Sequence, residues 1–331
     1  MKGIFKVLLV VVLVLTLGAC KSETDESDGM VLILPGPIND QSWNATNYAG
    51  LVAANEQLNT NIEYVENVKD ADFVSTFRSY AERGYKLIMG AGSQFDTAAN
   101  TVAKDYPDTT FVMVNGSIAE YDNVAPIFPK EYEASYLAGI IAGELTTNGK
   151  IGTISGSINA PMNDLLDVYE KVAEEGAAAR GIDSPESFRA NADSWSDVNK
   201  GKQMTQTTIS TNNVDVMFVY ANQVGLGAIT ACEEADPQVK FVGFSSNQND
   251  ISEVVQASVE FDFETFYVWA VGKFLDGTLE GKKVHAAGIK EEIFIPVYEE
   301  GFSQEIQDKV TEGINKVKND EIDLTEYFYT N

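Results

Sequence analysis

Six short apolar runs punctuate the chain: Val31–Leu34, Leu87–Met89, Phe111–Val114, Ile151–Ile154, Val216–Val219 and Phe241–Phe244. Each is nearly continuous in apolar residues rather than alternating, the pattern of strands covered on both faces in a parallel sheet. Between them the spacing changes to the helical period. Tyr48, Leu51, Val52 and Leu58 share one face; Tyr136, Leu137, Ile140 and Ile141 share a second; Phe263, Phe266, Tyr267, Ala270 and Phe274 share a third. Aromatic stripes at this spacing are core-forming. Strand–helix alternation of this kind predicts a doubly wound α/β architecture. About 300 residues beyond Met30 exceed what one core usually serves, so two lobes are expected.

The first thirty residues follow another logic. Lys2 and Lys6 precede an uncharged stretch from Val7 to Leu17, and Leu17-Gly18-Ala19-Cys20 closes it. A basic start, an apolar core too short for the ~20 residues of a membrane span, and small residues before a cysteine predict a bacterial lipoprotein signal. Residues 1–19 are read as the cleaved leader, Cys20 as the lipidated residue, and residues 20–29 as a flexible tether without core-forming side chains. An extracytoplasmic, lipid-anchored protein at the cell membrane follows. Removing Lys2 and Lys6 takes the formal charge from −27 to −29. Such a surface does not suit nucleic acid, nor adhesion to anionic lipid by charge.

In open parallel sheets ligands bind beyond the carboxyl ends of strands. Here those ends read Pro35-Gly36-Pro37-Ile38-Asn39-Asp40, Gly90-Ala91-Gly92-Ser93, Asn115-Gly116-Ser117, Ser155-Gly156-Ser157, Tyr220-Ala221-Asn222-Gln223 and Ser245-Ser246-Asn247-Gln248. Glycines admit close backbone approach, amides and hydroxyls offer neutral donors and acceptors, and Asp40 is the single charge. An uncharged polar ligand fits that lining; ordinary turn chemistry would favour the same residues. Catalytic signals are missing. There is no His-Glu-x-x-His, paired-cysteine metal spacing, Walker A loop or Gly-x-Ser-x-Gly elbow. His285, the single histidine, is expected to be a surface or structural residue, and Cys232 a small buried apolar one without a disulfide partner. Binding is favoured over catalysis, with neither metal nor cofactor expected.

Residues Ile38-Asn39-Asp40-Gln41-Ser42-Trp43-Asn44, with Tyr48-Ala49-Gly50-Leu51, resemble the opening site motif of the basic membrane protein family, which includes PnrA-like purine nucleoside receptors of ABC importers. Arg83–Ile88, Asp105–Val112, Glu133-Ala134-Ser135-Tyr136-Leu137-Ala138-Gly139, Gly225-Leu226-Gly227 and Phe274–Thr278 continue the match. The chain is similar as well to the Med-type regulatory lipoproteins of the same broad family.

The resemblance implies a type I periplasmic-binding fold: two doubly wound parallel-sheet lobes joined by a three-stranded hinge, with the ligand held between them. Crossovers are expected near Val124–Phe128, Ser245–Asp250 and Lys282–Ala286. The N-terminal lobe is then 30–125 with 250–282, and the C-terminal lobe 126–249 with 283–331. Trp43 occupies the position of the aromatic residue that stacks on the purine, although a helix-start core residue would look the same. Asp40 and Asn44 match its polar partners. Asn115 and Ser245 stand where the receptors carry aspartates for ribose hydroxyls. Charge-assisted contacts of about 1.5–3 kcal/mol each are thereby absent. Asn222 belongs to the same set of strand ends. Glu260 replaces a lysine that reads the base; directed into the cleft it would accept a hydrogen bond from a 6-amino purine, and turned to solvent it says nothing. Trp195 resembles a site tryptophan of nucleobase-binding relatives, or is a packed loop residue. A purine nucleoside, a base alone or another neutral solute all fit these departures. Delivery to an ABC permease is the leading expectation, ligand sensing without import the alternative.

Overall fold

The computed structural model describes residues 29–40 and 43–329. The expected leader, Cys20 and most of the tether lie outside the described residues. All six apolar runs are strands. In the first lobe β1 (Met30–Ile33), β2 (Ile62–Val65), β3 (Leu87–Gly90) and β4 (Thr110–Met113) form a parallel sheet in the order β2-β1-β3-β4. The alternation of β1 sorts its side chains between two layers. Leu32 packs with Leu51 and Ala54 of α1 (Trp43–Leu58) and with Tyr267, whereas Val31 and Ile33 pack with Phe73, Phe77 and Phe95. Phe73 and Phe77 lie on α2 (Phe73–Glu82), which shares that side of the sheet with α3 (Asp96–Ala103). Each fully buried side chain of this size contributes about 1.5–3 kcal/mol. Because both faces of β1 are filled, a one-residue slip would set every one of its side chains against the wrong layer.

The second lobe is built on a six-stranded sheet in the order β12-β10-β9-β8-β6-β7. Its members are β6 (Lys150–Ser155), β7 (Glu186–Asn191), β8 (Val216–Tyr220), β9 (Lys240–Ser245), β10 (Val255–Phe261) and β12 (Phe294–Tyr298), parallel except for β12. On one face lie α4 (Glu131–Leu145), α5 (Ala160–Ala179) and α9 (Gln304–Lys318); on the other lie α6 (Val198–Asn212) and α7 (Asn222–Glu234). Cys232 is buried on α7 with its thiol pushed well up by burial, an inert small apolar residue.

Two of the connections between the lobes run through a short parallel pair, β5 (Ile127–Pro129) and β11 (His285–Ala287), with His285 opposite Ile127. The buried His285 sets Nε2 2.8 Å from the Glu280 carbonyl, a structural position within the hinge. The remaining connection departs from the expectation of Ser245–Asp250. Residues 255–261 stay in the second sheet as β10, paired to β9 with Glu260 opposite Ser245 and to β12 with Glu260 opposite Ile295. The chain crosses only at Phe261–Phe263, after which α8 (Phe263–Leu275) packs on α1 of the first lobe. The segment 250–261, expected in the N-terminal lobe, therefore belongs to the other one. Its polar alternation, with Gln256, Ser258 and Glu260, hides it among the apolar runs.

Candidate functional site

The first-lobe wall starts where α1 does. Asp40 caps the helix: its carboxylate accepts from the Asn44 and Ala45 amides at 3.1 and 2.9 Å and from Asn44 Nδ2 at 2.7 Å. Asn44 Oδ1 accepts the Gly36 amide at 3.0 Å, closing the loop after β1. The two expected ligand partners are thus bonded to each other and to the turn. They shape the loop that presents Trp43. That tryptophan is half-buried and held on three sides. Its Nε1 donates to the Ala91 carbonyl at 2.8 Å, beyond the end of β3. Its own carbonyl accepts Asn47 Nδ2 at 2.7 Å, and Asn47 Oδ1 accepts the buried Tyr267 hydroxyl at 2.6 Å. Its ring meets Phe263 edge-on at 5.6 Å. Gly50 lets α8 approach, since a Cβ there would lie 2.5 Å from the Tyr267 ring.

Asn115 follows β4 with φ of 59°; its amide donates to the Ile127 carbonyl of the hinge at 2.9 Å. Its Oδ1 is buried with no hydrogen-bond partner among the described residues. A buried amide oxygen in that condition costs about 1–3 kcal/mol unless something else meets it.

The second-lobe wall is looser. Trp195 is 39% exposed. It lies over Gly156, where a Cβ would come 2.7 Å from the indole, and meets Tyr220 edge-on at 6.3 Å. The exposed Asn222 opens α7 with φ of 35°, and the exposed Ser245 ends β9 with φ of 75°. With Asn115, three strand ends therefore place non-glycine residues in left-handed backbone, a strain that gathers where surrounding structure serves a site. Asparagine tolerates it best, so Ser245 is the costly member. Glu260 is half-buried beside Ser245 in register, on the sheet face shared with Ser258 rather than with Val259.

These residues form three groups at the carboxyl ends of the parallel strands: Asp40, Trp43 and Asn44; Trp195 and Asn222; Ser245 and Glu260. Asn115 stands alone against the hinge. Cavities of about 340 and 400 Å³, lined by residues such as Tyr132 and Asp320 or Phe294 and Pro296, contain none of the eight. Among the described residues no cluster of His, Cys, Asp and Glu could hold a metal. No described helix is long and apolar enough to cross a membrane.

Sequence reasoning missed several supporting groups. Asn47 and Tyr267 position Trp43, and no motif marks them. Tyr220 packs on Phe244 at 4.7 Å in the second-lobe wall. Glu131, the first residue of α4, is pushed up to about 7 by desolvation, with Tyr220 acting in the opposite direction. Its one sequence signal is its place immediately after the hinge.

Comparison with known proteins agrees with this architecture. The chain is 28% identical over 248 residues to the ABC transporter nucleoside-binding protein BmpA of Lactococcus lactis, a match spanning 74% of this chain and 66% of BmpA. It is 24% identical to the transcriptional activator protein Med of Bacillus subtilis, over 86% of this chain and 88% of Med. Among solved structures, a transcriptional activator of the comK gene from Bacillus halodurans superposes with a TM-score of 0.75 at 20% identity, covering 89% of this chain and 99% of that one. An ABC transporter solute-binding protein from Aeropyrum pernix superposes with a TM-score of 0.70, also at 20% identity, covering 89% and 92%. The fold is the type I periplasmic-binding fold of solute-binding proteins. Residues 28–327 match the family described as ABC transporter substrate-binding protein PnrA-like, and the chain belongs to that family.

Proposed function

We propose that this protein captures a purine nucleoside or purine base between its lobes and hands it to an ABC permease, held at the outer face of the membrane by a lipid on Cys20. The observation that carries the reading is one tryptophan at the strand ends of each lobe, Trp43 and Trp195, with neutral amides and hydroxyls around them. Two aromatic faces and neutral polar groups suit a flat heterocycle, since each stacked base gains about 1–3 kcal/mol from an aromatic partner. Lobe closure about the β5–β11 hinge would bury the ligand and make the surface a permease recognises. Similarity to a relative named as nucleoside-binding supports the same class. Asn115 and Ser245, standing where the receptors carry aspartates, weaken ribose recognition and keep the free base in contention.

A second reading, ligand sensing without import, is favoured by the similarity to Med along most of both chains. A thermal-shift panel tests the ligand class, because a ligand that binds only the folded state raises the melting temperature. Purines should stabilise the protein and monosaccharides should not; the reverse order would reject the proposal. Purine uptake lost on deleting the gene would favour import over sensing. Cys20→Ser should release the protein from the membrane with its fold intact, and retention of an acylated N-terminal peptide would refute the anchor.

A further inference from the structure

The chain leaving β4 passes through Asn115 into residues 116–120, which belong to no helix or strand. Two anchors hold this loop. One is the hinge: Val114 bridges to Ile127, and the Asn115 amide donates to the Ile127 carbonyl at 2.9 Å. The other is a pair of polar side chains four residues apart on α3, Asp96 and Asn100, which are 4% and 5% exposed. The Asp96 carboxylate accepts the Ser117 amide at 2.9 Å. Asn100 Nδ2 donates to the Ile118 carbonyl at 3.0 Å, and its Oδ1 accepts the Glu120 amide at 2.9 Å. Two side chains thus satisfy backbone groups of three loop residues that no ladder reaches. Gly116 is fitted between the anchors, since a Cβ there would lie 2.5 Å from Asp96 Oδ1 and 2.7 Å from the Met113 Cβ.

We propose that Asp96 and Asn100 are positioning residues for solute binding: from the α3 side they fix the loop that carries Asn115, and through Asn115 a polar group of the solute. This rests on the purine reading above, with Asn115 as one of its contacts. Asn115 does not fix itself. Its side-chain oxygen has no partner among the described residues, and its backbone stands at φ of 59°. A residue in that conformation keeps it only where its surroundings impose it. Here the hinge bond imposes it on one side and the α3 pair on the other. A binding group works only when held within about 0.5 Å of its productive place, so residues that hold the loop govern affinity without touching the ligand. Apolar side chains would pack α3 at lower cost than a buried acid and a buried amide, which are tolerated only when bonded. At these two positions the sequence serves the loop rather than the packing, and neither position lies in a segment that carries the family resemblance.

Calorimetry on the full chain with adenosine, inosine, guanosine and their free bases, run as a double-mutant cycle, tests the inference. Asn115→Ala should weaken the purine that wild type binds by about tenfold, and Asp96→Ala by about fivefold, as for one lost hydrogen bond. In the Asn115→Ala background, Asp96→Ala should change affinity by less than about twofold, while its cost in denaturant unfolding stays the same in both backgrounds. Asp96→Asn, which keeps an oxygen for the Ser117 amide, should restore most of the affinity that Asp96→Ala loses. Gly116→Ala removes no hydrogen-bonding group but pushes the loop off Asp96, and it should weaken binding in the same Asn115-dependent way; it carries the test if Asp96→Ala does not fold. Affinity losses of equal size with and without the Asn115 side chain would make the α3 pair a structural support only and overturn the inference. Unchanged binding in Asn115→Ala would overturn it as well, and either result leaves the purine reading standing. Absence of purine binding to the wild type would overturn both.

Discussion

Trp43 and Trp195 stand at equivalent ends of the two sheets, yet they are held differently. Trp43 is fixed by its indole N–H, its carbonyl and its ring, through Ala91, Asn47 with Tyr267, and Phe263. Trp195 rests on the flat backbone at Gly156 and touches Tyr220 by an edge, in a polar loop where Asp193 adopts a φ of 46°. If both rings meet the proposed ligand, the difference would give the two walls different jobs. A surface already in its bound geometry loses little entropy when a ligand docks, whereas a loosely held ring can adapt as the cleft closes. Under the proposed function the first lobe would be the docking face and the second the adjustable one.

The largest effect should come from forcing the helices behind the rigid wall apart. Gly50→Val places a side chain where even a Cβ would sit 2.5 Å from the Tyr267 ring, so both the α1–α8 contact and the Asn47 bond must shift. A loss of about 1–3 kcal/mol in denaturant unfolding is expected, with ligand affinity falling alongside. Next, Trp43→Ala should cost both stability and binding, each by about 1–3 kcal/mol, because this ring is part core and part site. Trp195→Ala should separate the two readouts. Affinity should fall by about 1–2 kcal/mol while the unfolding midpoint stays within about 0.5 kcal/mol of wild type, as for an exposed side chain. A Trp195 variant that loses as much stability as the Trp43 variant would erase the contrast between the walls.

The smallest effect concerns Glu131. Burial holds its carboxyl at about 7, above the ordinary 4.5, so burial of the charged form destabilises the fold only where the carboxyl ionises. The stability associated with the neutral acid is complete below pH ~4.5 and lost as pH rises through 7. Glu131→Gln should therefore melt higher than wild type at pH 8, with the gap closing towards pH 5. A constant gap across that range would remove Glu131 from the titrating groups.

How much was legible follows from what each element buries. β1, β3, β4, β6, β8 and β9 are covered on both faces and show as apolar runs. β2 and β7 are sheet edges with half-exposed sequences, IEYV and ESFRAN, and leave no such trace. β10 alternates, which shifted the expected hinge crossing by more than ten residues. Among site residues, the Asp40–Asn44 motif was visible through its resemblance to the family's opening motif, and in the structure Asp40 caps the start of α1. Its bonds, however, run within the turn. Asn47 and Tyr267 act through a contact between segments far apart in sequence, and no local pattern records them. Tyr267 bonds a residue 220 positions away.

The central claim is that a flat purine lies between the lobes, and mass spectrometry of small molecules released by denaturing the natively purified protein tests it most directly. The account predicts a purine base or nucleoside in the released fraction, near stoichiometric with protein and depleted in the Trp43→Ala variant. A monosaccharide or other non-aromatic solute released instead, at equal yield from wild type and variant, would contradict it.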